Sequence, residues 1–146
     1  MSGFRQLARR RHGAGVVVLL FVAAGAATIV VSAVVHLYLW GKSDGYRAVP
    51  TVGPLFLVQG IVGLLLGAVM LIIRHVVATT AGAVYMAMSI GGLYLSLHGG
   101  LFDYQETLDA QYVKLSLVVE IIGLIACLVA LAMTLGFERR RGNTGV

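Results

Sequence analysis

A chain of 146 residues that is 59% hydrophobic and only 12% charged, with a mean hydropathy of +0.93, lacks the polar residues to clothe a water-soluble domain. Its net charge of +5 is confined to the chain ends and one turn, which reads as membrane topology and excludes a nucleic-acid surface. The lone cysteine, Cys127, excludes an internal disulfide, and no GxSxG, phosphate-loop, CxxC or HExxH pattern argues for an enzyme.

The chain opens on a basic segment, Met1 to His12, carrying Arg5, Arg9, Arg10 and Arg11. The apolar run that follows, Ala14 to Trp40, exceeds the 7–15 residues of a signal-peptide core, so it is expected to be retained as a first membrane helix. A bilayer core of about 30 Å takes about 20 apolar residues per crossing. Gly41 to Pro50 has the glycines, Asp-Gly pair and proline of a loop, and Pro54 suits the first turn of a second helix over 53–73. Arg74-His75 is a tight basic turn. A third helix is expected over 76–97, ended by His98-Gly99-Gly100, and the loop to Gln111 carries Asp103, Glu106 and Asp109. A fourth helix over 112–137 runs into Glu138 and Arg139 to Arg141.

The expected fold is all-α, a single polytopic membrane domain over residues 1–146 built as an antiparallel four-helix bundle. All strongly basic segments fall on one side, so both termini are expected in the cytoplasm. Offset by sixty positions, Leu55–Leu71 matches Leu115–Leu131, pairing Gly63 with Gly123 among others. The match reads either as a tandem duplication of a two-helix hairpin or as chance similarity between Leu- and Val-rich segments. Small and polar residues mark helix contacts in lipid. They form one stripe per helix: Ala24, Thr28, Ser32 and His36; Gln59, Gly63 and Gly67; Gly82, Tyr85, Ser89, Gly92 and Ser96; Ser116, Glu120, Gly123, Cys127, Ala130 and Thr134.

Three polar side chains on those stripes, His36, Gln59 and Glu120, fall in the same half of the bundle, between roughly 6 and 12 Å from the loop ends at 1.5 Å per residue. His98 lies at the end of the third helix and Lys114 at the start of the fourth. Glu120 stands out, because an ionisable residue inside a span costs about 2.5 kcal/mol or more to insert. Its expected partners are His36 and Lys114. The plainest reading is a polar clasp that fixes helix register. The alternatives are a metal site with His36, His98 and Glu120 as ligands, a haem between His36 and His98, or a titrating Glu120–His36 pair serving transport or a quinone. An absent cofactor is preferred over haem or metal. Tyr38, Trp40, Tyr46, Tyr104 and Tyr112 read as interfacial aromatics, and Met70, Met86, Met88 and Met133 as packing.

The stretch His36–Gln59, with its H-L-x-L-W, G-Y-R, P-T-x-G-P-L-F and Gln elements, resembles a set of small four-span membrane proteins of high-GC Gram-positive bacteria that carry no assigned activity. The resemblance covers the first two helices and their loop; it implies a bacterial plasma membrane and brings no functional residues. The expected function is that of an accessory or scaffold subunit, in contact with the lipid bilayer and associating with itself or a larger complex. The alternatives are a small redox or ligand-binding membrane protein and a proton-coupled transporter.

Overall fold

A computed structural model describes the backbone of residues 2–73 and 75–142 and the side chains of 15–73 and 75–136. It contains helix α1 (Ser2–Gly41), a 3-10 turn (Tyr46–Ala48), α2 (Val52–Ile73), α3 (Val76–His98) and α4 (Val113–Gly142). The four segments Gly15–Gly41, Val52–Ile73, Val76–His98 and Val113–Gly136 are each long and apolar enough to cross a membrane. The helix boundaries follow the sequence closely at the inner ends. At the chain ends α1 starts before the expected residue 14 and α4 runs past 137, because charged residues are good helix formers and hydropathy marks only the apolar part of a helix. The basic side chains behind the expected orientation, Arg5, Arg9, Arg10, Arg11, Arg74 and Arg139 to Arg141, lie outside the described residues. His75 is described, and it caps α3 by accepting the Val77 amide at 3.2 Å.

The bundle is antiparallel, with α1 against α2 and α4, and α3 against α4 and more sparsely against α2. Its centre is where the helices contribute Ile29, Met70, Met86 and Cys127, all fully buried. Close approach depends on glycine: a Cβ on Gly67 would stand 2.6 Å from the Val30 side chain of α1. The sequence-matched pair Gly63 and Gly123 do the same job on α2 and α4, each facing both α1 and α3. Outward positions such as Leu65 and Ile72 are bare apolar surface, the side that meets lipid.

One stripe needs correction. Ala24 is exposed, and the buried line of α1 runs instead through Val22, Ala26, Ile29, Ser32 and His36. At about 100° per residue each i to i+4 step drifts by about 40°, so three steps back from His36 carry the line off the contact face.

The loops at one end of the bundle are structured. Leu101 and Tyr104 exchange backbone hydrogen bonds of 2.7 and 3.0 Å, with Phe102 (φ 53°) and Asp103 (φ 62°) in the left-handed region between them. Two successive positive φ values turn the chain as in a tight hairpin, at about 1 kcal/mol or more per non-glycine residue. The Glu106 amide then bonds the Ser96 carbonyl at 3.1 Å, so this loop folds back onto α3. Both α2 and α4 are entered through a left-handed non-glycine residue, Thr51 (φ 64°) and Tyr112 (φ 66°). Their carbonyls take the amides of Leu55 and Ser116.

Candidate ligand-binding site

All four helices converge on one carboxyl group. Glu120 of α4 is 1% exposed. Its Oε1 accepts the hydroxyls of Ser32 (2.9 Å, α1), Ser89 (2.6 Å, α3) and Ser116 (3.1 Å, one turn back on α4). Gln59 of α2 completes the set by donating its side-chain amide to Ser89. Tyr85 adds a second tie, its hydroxyl donating to the Gln59 carbonyl at 3.0 Å. It reaches that backbone because Gly63, beside it on α2, has no side chain in the way. In an apolar interior such hydrogen bonds are the alternative to leaving polar groups unpaired.

The other carboxyl oxygen is different. Glu120 Oε2 is buried and has no hydrogen-bond partner among the described residues. A buried, unmatched acceptor is costly, so this atom needs an explanation beyond helix packing.

His36 sits one turn along α1 from Ser32, with its Nδ1 2.8 Å from the Ser32 carbonyl. A carbonyl only accepts, so Nδ1 carries a proton and donates it there. Phe56 lies against the ring, centroids 4.8 Å apart.

Glu120, His36, Gln59, Ser89 and Ser116 line a cavity of about 120 Å³. That is room for one small ring or a polar head with a few carbons. Its walls are Leu55, Phe56, Met88 and Leu93. Leu55 and Met88 are also exposed on the outside of the bundle, so the cavity approaches the apolar surface along the sparsely packed α2–α3 seam. Gly92 belongs to this wall, and a Cβ there would meet nothing within 4 Å.

The loops form the roof. Tyr46 stacks on Phe56 (4.3 Å, 15°), meets Tyr104 edge-on (5.6 Å, 72°) and donates its hydroxyl to Glu106 Oε2. Glu106 is 7% exposed and its Oε1 accepts the Thr107 amide at 3.0 Å. Burial first, and then the Glu106 carboxylate, push the Tyr46 phenol well above its usual range. On the far side of Tyr46 and Tyr104 lies a second, polar cavity of about 230 Å³ lined by Lys42, Asp44 and Gln111. Lys42 joins the two loops there, bonding Gln111 at 2.7 Å and pairing with Asp44 at 3.2 Å, which holds the exposed Asp44 carboxyl below its ordinary value.

The structure therefore brings His36, Gln59 and Glu120 around one cavity and leaves His98 out. His98 is exposed, its ring stacked on Tyr94 at 4.2 Å and its Nδ1 3.0 Å from the Tyr94 carbonyl. Lys114 does not partner Glu120; it lies 2.9 Å from Asp109 in a solvent-exposed pair. Among the described residues no three His, Cys, Asp or Glu side chains are grouped to hold a metal ion. Tyr46 and Tyr104 are roof residues rather than members of an interfacial belt, whereas Tyr38 and Tyr112 do form an exposed edge-on pair. Glu106 reads from sequence as one loop carboxylate among three, with nothing to mark it as a site residue. Comparison with protein-family models, curated proteins and solved structures finds no match for this chain.

Proposed function

We propose that this membrane protein binds a small amphiphilic molecule, whose polar end is held at Glu120 and whose apolar part lies along the α2–α3 seam. The carrying observation is the buried Oε2 of Glu120, without a partner among the described residues, beside a cavity with apolar walls. A clasp that only fixes helix register has no use for a second carboxyl oxygen left without a donor. The basic segments at the chain ends and at Arg74 support cytoplasmic termini, and with them a site in the outer half of the membrane. The resemblance of His36–Gln59 supports a bacterial plasma membrane.

The test is saturable binding of octan-1-ol to the purified chain in nanodiscs, compared with a Gly92→Trp variant. The indole would occupy space that the cavity wall leaves open at Gly92. Binding to the wild type that is lost in Gly92→Trp supports the reading; equal binding to both sinks it.

An accessory role in a larger assembly rests on a separate feature. Gly91 leaves open space on α3 where a partner helix could pack closely. A Gly91→Leu variant that still co-purifies with the same membrane partners as the wild type removes that support.

A further inference from the structure

The cavity's charges and free hydrogen-bonding groups define the polar end of its occupant. Two carboxyl groups line it, Glu120 on the floor and Glu106 in the roof, and no lysine or arginine is among its described lining residues. Lys42 of the α1–α2 loop faces the separate polar cavity and is paired with Asp44.

The hydroxyls nearest the two carboxyl groups are committed, and Gln59 gives one amide N–H to Ser89. The Ser32, Ser89 and Ser116 hydroxyls go to Glu120 Oε1, and the Tyr46 hydroxyl goes to Glu106. What remains is Glu120 Oε2, an acceptor with no partner among the described residues. It belongs to a residue one hydrogen bond away from Ser32. A carboxylate or phosphate head would face two carboxyl groups with no lysine or arginine among the described lining residues to offset them. A head that brings several N–H donors and a positive charge satisfies what is left.

We infer that the occupant is an amphiphilic amine bound as its ammonium ion, charge-paired with Glu120 Oε2 and carrying its alkyl or aryl part into the Leu55–Met88 wall. The inference rests on the amphiphile-binding reading above and names its ligand class.

The experiment uses one tail with three heads. Octylammonium, octan-1-ol and octanoate are titrated onto the full chain in phosphatidylcholine nanodiscs by calorimetry, with empty nanodiscs as the baseline. Octylammonium is expected to bind at least tenfold tighter than octan-1-ol, with no saturable binding of octanoate. In Glu120→Gln the octylammonium affinity should fall at least tenfold while that of octan-1-ol stays within twofold. Octan-1-ol or octanoate binding as tightly as octylammonium overturns the amine assignment but leaves the amphiphile site standing. No saturable binding of any probe above empty nanodiscs overturns both. The three probes on the wild type discriminate between the heads without the variant, so a failure of Glu120→Gln to fold does not blunt the test.

Discussion

Ser32 and Glu120, 88 residues apart in the chain, meet at 2.9 Å inside the bundle, and the carbonyl of the same serine receives the His36 ring proton at 2.8 Å. Ser32 thus orients the histidine and one carboxyl oxygen together, and the other carboxyl oxygen has no partner among the described residues.

Removing that serine hydroxyl tests the link. Ser32→Ala should destabilise the bundle by about 1 kcal/mol, the scale of a side-chain hydrogen bond in a membrane interior. Ser32→Ala and Ser89→Ala should be non-additive in a double-mutant cycle, because both donate to Glu120 Oε1. Unfolding by denaturing detergent measures both. Strict additivity would mean that the carboxyl does not couple the two helices.

Tyr46 makes the loop end sensitive to alkali. Its phenol is raised in the fold above the ordinary 10.0, so the stability it contributes is fully present below about pH 10. That contribution is lost progressively as pH climbs from there toward the raised value, since the unfolded phenol ionises first. Tyr46→Phe keeps the stack on Phe56 and removes the ionising group. Hydrogen exchange around Glu106 and Thr107 should accelerate between pH 9 and 11 in the wild type. In the variant it should be faster at neutral pH and show a weaker extra rise after correction for intrinsic exchange.

Two glycines should behave in opposite ways. Gly67→Leu pushes a side chain against Val30 and the Ala26 carbonyl and should destabilise by about 1–3 kcal/mol or more. Gly91→Ala enters open space inside a helix and should stabilise by about 0.5–1 kcal/mol. The same unfolding assay reads both, and a destabilised Gly91→Ala would show that this face is covered.

Orientation can be read with a single cysteine. Ser43 lies in the loop between α1 and α2, and the native Cys127 is fully buried, so background labelling should be low. Ser43→Cys should react with a membrane-impermeant maleimide in intact cells. Reaction only after permeabilisation would reverse the proposed topology and move the cavity to the inner half.

Much of the fold was legible because its signals are local. Apolar runs of membrane length, loop chemistry at Gly41–Pro50 and the one-sided placement of Gly63, Gly67, Ser89 and Glu120 all follow from spacing along single helices. The candidate floor residues His36, Gln59 and Glu120 were legible for the same reason, since a polar side chain within an apolar run is conspicuous wherever it ends up. His98 and Lys114 misled for the converse reason. Each sits beside a helix end, where a short shift decides between the interior and solvent, and both turned outward to bond with near neighbours in the chain.

The roof depended on chain-distant geometry. Nothing local separates Glu106 from Asp103 or Asp109; it is buried because the Leu101–Tyr104 turn folds the loop back and brings it beneath Tyr46, sixty residues earlier. The pairing of Ser32, Ser89 and Ser116 on a single oxygen likewise required α1, α3 and α4 to be packed in register. By itself, then, the sequence determined a four-span helical membrane protein with a few polar residues buried in one half. Only the tertiary structure decided that three hydroxyls would share Oε1 and leave Oε2, beside a cavity, without a partner among the described residues. Hydropathy and helical periodicity are properties of one segment at a time, whereas hydrogen-bond satisfaction belongs to all the packed segments together.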